Sequence, residues 1–183
     1  ANTYTIYFDG NGQTGGSTAA QSMTYDTASN LNKNGYVKTG YSFAGWNTAA
    51  DGSGTAYADK ASVKNLRSGV NDSITLYAQW TANSYDVTYN AGEGSFADST
   101  TSQSITQLYD SNYILPETNP TRDGYTFLGW FTAETEDTQV TASTNMTTAQ
   151  AHTLYAQWQA VELNTISVSV GDVTLSYSGD TPA

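Results

Sequence analysis

The chain has 183 residues with 17 acidic and 6 basic side chains, a formal net charge of −11 and no cysteine. The absence of cysteine excludes disulfides and thiolate metal sites, and the negative charge disfavours nucleic acid, whose phosphates require basic side chains. Since no run of about 18 apolar residues occurs, we predict no direct insertion into a membrane.

The first predicted element is a strand at Tyr4–Phe8, where side-chain character alternates with a period of two. Tyr4, Ile6 and Phe8 are predicted to face inward, with Thr5 and Tyr7 facing out. Turn-forming residues follow at 9–12, and a weaker strand is predicted near Ser22–Tyr25.

The next predicted strand contains the motif Gly40–Trp46. Strict alternation would place Tyr41 and Phe43 on one face and Ala44 and Trp46 on the other. Gly45 interrupts the strand and predicts a bulge or a close approach of another backbone.

A variable segment precedes the last strand of this part of the chain. Val63 and Leu66 stand at helical spacing, which predicts a short helix over Ala58–Leu66. The closing strand, Leu76–Trp80, is predicted to place Leu76, Ala78 and Trp80 on one face.

The whole pattern then returns. The recurring segments are Tyr85–Tyr89, Ser104–Tyr109, Gly124–Trp130 and Leu154–Trp158, with the loop at 146–152 in place of the predicted helix. Internal repetition of this length indicates tandem modules, predicted here at residues 1–82 and 83–158. Recurring positions, including all four Trp residues, are predicted to hold the fold, whereas copy-specific residues are candidates for function.

Residues 159–183 depart from the repeat. Thr165–Val170 and Val173–Tyr177 both alternate, and Gly171-Asp172 between them favours a turn. This predicts a β-hairpin that either completes the second module or begins a third domain.

This recurring pattern resembles the Listeria–Bacteroides repeat family, also described as the internalin B-repeat. The resemblance rests on Tyr4–Phe8 with its glycine-rich turn, on Thr39–Trp46, on Leu76–Trp80 and on their second copies. It implies an α+β, strand-rich fold of two small β-grasp-like modules. It also implies tandem arrays in secreted or wall-anchored bacterial proteins, hence an extracellular location, and it offers no catalytic residues.

Catalytic interpretations find little support in the residues. His152 is the only histidine, and the matching position of the first copy is Ile74, so we interpret His152 as a structural or surface residue rather than a catalytic one. Paired carboxylates could act on glycosides, but Glu134, Glu136 and Asp137 have only Asp51 as their counterpart and are interpreted as a solvated acidic loop.

Metal and cofactor sites are not predicted. Counting a helix–loop–helix calcium loop from Asp9 or Asp51 fails to place Gly and Glu where that loop requires them. A looser calcium site at the acidic loop stays an open alternative. No cofactor motif occurs.

Aromatic side chains present in only one copy are the predicted ligand-binding surface. Rings beside amides and hydroxyls can stack on sugars while the polar groups bind hydroxyls. The candidates are Tyr36, Tyr57, Tyr113 and Phe131.

Two functions follow as hypotheses. The first is a non-enzymatic module pair of a bacterial surface protein, monomeric within a longer chain, acting as a stalk or in adhesion through protein contacts. The second is a carbohydrate-binding module attached to a secreted glycan-degrading enzyme. A protein or glycan ligand at the cell surface is the predicted partner.

Overall fold

The computed structural model describes residues 2–135, 137–162, 164–170 and 173–179. These residues divide into two units by their contacts. The first unit comprises the chain up to Tyr85 together with Leu108–Asp110 and Thr147–Gln150, and the second comprises the remaining residues. Each unit is built around a five-stranded sheet.

The sheet of the first unit has the order β3-β1-β9-β6-β7. The strands of this unit are β1 Thr3–Asp9, β2 Gly15–Gly16, β3 Gln21–Thr24, β4 Ser29–Asn30, β5 Tyr36–Val37, β6 Tyr41–Asn47, β7 Ala56–Tyr57, β8 Ser62–Val63 and β9 Asp72–Ala82. β1 pairs in parallel with β9, while its pairing with β3 and the β6–β9 and β6–β7 pairings are antiparallel.

Alternation along β1 builds one side of the core. Tyr4, Ile6 and Phe8 are buried, whereas Tyr7 is 52% exposed. On the neighbouring strand β9, Ile74, Leu76 and Ala78 are buried as well. The inward positions predicted from the period-two pattern of β1 are therefore confirmed.

The glycine in β6 does form a bulge, and the bulge changes which residues share a face. The register against β9 shifts between Phe43, opposite Trp80, and Gly45, opposite Gln79. Trp46 then lies opposite Ala78, two residues from Trp80 along β9, so Phe43 and Trp46 share a face. Their rings are 5.0 Å apart. The prediction that Phe43 and Trp46 face opposite sides is wrong, because the extra residue resets the alternation.

The predicted helix over Ala58–Leu66 is also wrong. This segment contains the short strand β8, which pairs with β4. Lys60 and Asn65, on either side of β8, have φ angles of 58° and 57°, which interrupt any right-handed helix. Val63 is buried by the strand pairing instead.

The sheet of the second unit repeats the first with the order β11-β10-β14-β12-β13. Its strands are β10 Ser84–Asn90, β11 Ser102–Leu108, β12 Tyr125–Phe131, β13 Gln139–Val140 and β14 His152–Ala160. β10 and β14 are parallel, and β12 carries the same bulge between Phe127 and Gly129. Val87 and Tyr89 are buried as predicted, while Tyr85 is half-buried.

The strand-rich, two-module layout is thus confirmed. The α+β part of the prediction is not supported, since the described residues contain strands and irregular segments but no helix. No helix that could cross a membrane is found in the part of the chain that the structure describes.

Two further strands follow the second module. β15 Asn164–Val170 and β16 Val173–Gly179 pair antiparallel, with Val170 opposite Val173. This is the pairing that the sequence predicted for a hairpin. The predicted turn at Gly171-Asp172 lies outside the described residues.

Candidate functional site

The recurring tryptophans belong to the packing of each module, so residues that only support this packing must be distinguished from a binding site. Trp46 and Trp130 are buried, and neither indole N–H has a hydrogen-bond partner, so packing holds these rings. Trp80 donates its indole N–H to the Gly10 carbonyl at 2.8 Å, and Trp158 donates to the Ala91 carbonyl at 3.1 Å. Each pair therefore stabilises its own module, as the repeat predicted.

Tyr36, the first candidate ligand residue, also belongs to the packing around the tryptophans. Its hydroxyl donates to the Phe8 carbonyl at 2.7 Å, and its ring meets Trp46 edge-on at 6.3 Å. In the second module Phe96 stacks on Trp130 at 6.0 Å instead. Tyr36 lies on β5, the second strand of the β2–β5 pair. The equivalent bridge of the second module joins Ser95 to Thr121, and Phe96 follows Ser95 on the first segment of that pairing. The ring that covers the tryptophan therefore comes from the opposite member of the pair in the two modules.

Tyr113 is buried, so it does not form an exposed binding ring as predicted. Its hydroxyl lies 2.9 Å from Nε2 of His152. The backbone pairings make Tyr113 and His152 the counterparts of Leu31 and Ile74, which are core residues of the first module. A polar pair thus replaces two apolar side chains, which agrees with the structural interpretation of His152.

Tyr57, the third candidate, lines a shallow cleft of about 290 Å³ in the first module. The ring is half-buried, and its residue lies opposite Trp46 in the β6–β7 pair. The remaining lining residues are Ala44, Gly45, Trp46, Ala56, Ala58 and Gln79. An aromatic wall, small apolar residues and one amide are the groups that a flat, partly polar ligand requires.

The second module differs at this position. Its counterpart of Ala56 is Gln139, and its counterpart of Tyr57 is Val140. Gln139 donates from Nε2 to the Leu128 carbonyl at 3.0 Å, across the bulge. The side chain of Gln139 therefore occupies the space that stays open beside Tyr57.

Phe131, the fourth candidate, is half-buried at the end of β12 and lies opposite Tyr155 and Gln139. Its counterpart in the first module is Asn47, which is buried and donates to the Gly52 carbonyl at 3.0 Å. The four candidates are therefore dispersed over two modules, and Tyr57 is the candidate that lines the cleft described above.

A second cleft, of about 340 Å³, lies in the second module. It is lined by Asn90, Gly92, Glu93, Glu134, Tyr155 and Ala156. In the first module the side chain of Asn11 fills the equivalent place, donating to the Ala50 carbonyl at 2.8 Å and the Ala78 carbonyl at 2.9 Å. Gly92 has no side chain to do so, and the cleft is the space that this leaves.

Charge around this second cleft is acidic but partly paired. Glu93 forms an ion pair with Arg122, whose guanidinium carbon lies 3.6 Å from the centre of the Tyr125 ring. The first module repeats the cation–π contact, with Nζ of Lys38 4.3 Å from the Tyr41 ring centre. The presence of this cation–π contact in both modules indicates that the contact has a structural role.

The acidic loop offers no evident site. Glu134 and Asp137 are exposed, and Glu136 lies outside the described residues. Hydrogen bonding from the Thr132 side chain, and then from the Thr138 backbone, lowers the pKa of Asp137. Among the described side chains, no group of three or more His, Asp or Glu residues is placed to hold a metal ion.

Sequence reasoning missed the two residue pairs that distinguish the clefts. Alignment of the opening strands already pairs Asn11 with Gly92, but only the structure shows which carbonyls Asn11 contacts. Pairing Ala56 with Gln139 requires the strand register. Phe96 was missed because its ring covers Trp130 from a different position of the repeat than that of Tyr36.

Comparison with known proteins agrees with the doubled architecture. The Listeria-Bacteroides repeat domain family matches residues 4–79 and 85–157. A protein of Evansella cellulosilytica named as a Gly-rich membrane protein is 41% identical over 136 residues, covering 72% of this chain and 15% of that protein. Internalin H of Listeria monocytogenes is 41% identical over 122 residues, covering 67% of this chain and 20% of its own length.

A further membrane protein of Evansella cellulosilytica is 28% identical over 151 residues, or 78% of this chain and 21% of its own. The chain thus spans only 15 to 21% of the length of these relatives. Because the family matches most of the sequence in two tandem segments, the chain belongs to the Listeria-Bacteroides repeat domain family.

Proposed function

We propose that this chain is a non-enzymatic tandem repeat pair of a bacterial cell-surface or secreted protein, acting as a stalk that spaces other domains. The observation that carries the proposal is that residue differences between the two copies compensate one another in the packing of each module. Tyr36 and Phe96 cover equivalent tryptophans, and Tyr113 with His152 replaces two apolar core residues. Tyr36, Phe96 and Tyr113 therefore maintain packing, which is what a scaffold requires.

The relatives support the proposed location. One is named as an internalin and two as membrane proteins, and this chain matches about one fifth or less of each. We accordingly expect an extracellular, monomeric segment of a longer multidomain protein, either secreted or anchored to the cell wall. The net charge of −11 is unfavourable for binding nucleic acid.

The stalk function is tested by varying the number of modules. The chain is displayed on a bacterial surface, anchored at its carboxyl end and carrying a peptide tag at its amino end. Variants carry one module, the native pair, or the pair in duplicate. Binding of a bulky tag-specific antibody should rise with module number, because each module moves the tag farther from the surface. Equal binding in all three, at equal display, would contradict a spacer role.

Adhesion through protein contacts is the second mode of the same proposal. The native chain, immobilised on a surface, would retain cells or purified surface proteins in this mode. Retention should persist after enzymatic removal of glycans from those cells. Loss of retention on glycan removal would instead point to the second candidate function.

The second candidate function is carbohydrate binding, and the Tyr57 cleft is what favours it. Its half-buried ring, its alanine lining and the Gln79 amide suit one face of a neutral sugar. Calorimetry with neutral oligosaccharides at millimolar concentration tests the idea. Tyr57→Ala should abolish any heat of binding, whereas Tyr7→Ala, which removes an exposed ring from β1, should leave it unchanged.

The order and direction of the strands also bear on the β-grasp-like fold that the family resemblance implies. We infer that each module is a helix-free variant of the β-grasp arrangement. The support is the mixed sheet in which the first strand lies in parallel beside the closing strand.

A further inference from the structure

The chain enters and leaves the first module on two strands that are neighbours. β1 is the first strand and β9 is the last, and they pair in parallel with Tyr4 opposite Asp72 and Asp9 opposite Tyr77. Their register covers six consecutive residue pairs without a shift. The bulge of this sheet lies between β6 and β9 and leaves the β1–β9 pair regular.

This pairing fixes how tension acts on the module. Because the strands are parallel, the start of β1 lies beside the start of β9, and the chain leaves at the far end of β9. From Asp72 to Ala82 the strand runs about 33 Å at roughly 3.3 Å per residue. Tension applied at Thr3 and Ala82 therefore pulls the strands past each other along their axes. The evenly spaced hydrogen bonds of a parallel pair are then loaded together.

Burial adds to the resistance of this pair. Ile6 lies opposite Ile74 and Phe8 lies opposite Leu76, and all four side chains are buried. The face that carries these side chains is closed to water, whereas the opposite face carries the exposed Tyr7 and Ser73. Water can therefore compete for the stretched backbone hydrogen bonds from one face only. Sliding would also have to expose these apolar side chains at the same time.

We propose that the β1–β9 pair is a shear clamp that keeps the module folded under tension between neighbouring parts of the chain. The inference rests on the proposed stalk function, to which it adds the bearing of mechanical load. The second module repeats the device, since β10 and β14 are parallel with Val87 opposite His152. Its register covers four residue pairs, from Val87 to Asn90, so its clamp is the weaker one.

The absence of cysteine allows force to be applied at chosen residues of the full chain. Thr3→Cys with Thr81→Cys places handles at opposite ends of the clamp and loads it in shear. Thr3→Cys with Ser73→Cys places them at the same end, where the strands separate one hydrogen bond at a time. All three positions are exposed, and neither variant alters a buried side chain of the clamp.

Single-molecule pulling at one loading rate compares the two directions. We expect roughly a threefold or greater unfolding force in shear, since load is then shared by a row of hydrogen bonds rather than borne by one. The shear variant should lengthen by about 240 Å in one step, because its 78 residue spacings extend to about 270 Å and the folded handles are already about 30 Å apart along β9. Ser84→Cys with Gln159→Cys, which loads the second module in shear, should unfold at a lower force than the first.

Equal forces in the two directions would overturn the clamp, provided that urea denaturation shows equal stability of the two variants. A gradual extension in shear, without a single step, would overturn it as well. Such a result leaves the stalk proposal to its own test, because spacing requires folded modules but not mechanical resistance. Conversely, failure of the module-number test would leave the measured forces as they stand.

Discussion

At the scale of single residues, Asn11 and Gly92 are the difference between the copies whose consequence is easiest to measure. Asn11 has a φ angle of 48° and donates to two carbonyls, whereas Gly92 has a φ angle of 60° and open space around the position of a Cβ. Asparagine tolerates this left-handed backbone. Gly92→Asn should therefore add two hydrogen bonds at little cost in strain.

We expect Gly92→Asn to raise the free energy of unfolding of the second module by about 1 to 2 kcal/mol. Asn11→Gly should lower that of the first module by a similar amount. Calorimetric unfolding of the full chain measures both. Gly124→Asn is the matched control, since Gly124 has a φ angle of 74° and equally open surroundings. Equal stabilisation by both asparagine substitutions would show that the carbonyl pair is irrelevant.

Tyr89 gives the second module a distinct response to alkaline pH. Burial raises the pKa of its hydroxyl to about 12, while an unfolded tyrosine titrates near 10. Its contribution is therefore fully present below pH ~10 and is lost as the pH rises from ~10 to ~12. At pH ~11 the loss should be about 1.4 kcal/mol. The equivalent residue of the first module is Phe8, which does not titrate.

Tyr89→Phe tests this titration. The variant loses the hydroxyl that donates to the Ile114 carbonyl and accepts from Gln107, each at 2.8 Å. It should be less stable than the native chain at pH 8 by about 1 to 2 kcal/mol. The deficit should shrink by pH 11, where the native chain has lost about half of the contribution of Tyr89. Urea unfolding at the two pH values measures it, and a constant deficit would contradict the assignment.

At the scale of elements, periodicity in the sequence predicted the main strands but not every face. Tyr4–Phe8 and Leu76–Trp80 alternate without interruption, so their inward residues could be assigned from spacing. In β6 the bulge adds one residue, and this returns Trp46 to the face of Phe43. The segment at 58–66 shows the opposite failure: two apolar residues at helical spacing carried less weight than left-handed turns and strand pairing.

The bulge glycines provide a prediction at this scale. Gly45 has a φ angle of 146°, and a Cβ there would lie 2.8 Å from the backbone carbonyl oxygen of Tyr57. Gly129 has a φ angle of 132°, but its Cβ would meet the movable end of the Gln139 side chain. Gly45→Ala should cost about 2 to 3 kcal/mol of stability and Gly129→Ala about 1 to 2 kcal/mol. Calorimetry ranks them, and the reverse order would contradict the role of the Tyr57 carbonyl.

At the scale of the whole molecule, the repeated motifs were sufficient to predict two modules and the family to which they belong. They were not sufficient to separate functional aromatics from structural ones. Tyr36 and Phe96 cover equivalent tryptophans from different positions of the repeat, so comparison by position made Tyr36 look unmatched. The two clefts depend on which side chain fills a shared space, and that required the contacts of Asn11 and the register that pairs Ala56 with Gln139.

If the chain is a stalk, its two copies are exchangeable parts of a scaffold. The most direct measurement replaces the second module by another copy of residues 1–82 and compares display of the amino-terminal tag with that of the native pair. We predict equal antibody binding and equal cell retention at equal surface density, because spacing depends on the number of modules. A chain that displays the tag normally but loses cell retention would show that the second module carries a specific site, and would contradict the exchangeability of the two copies.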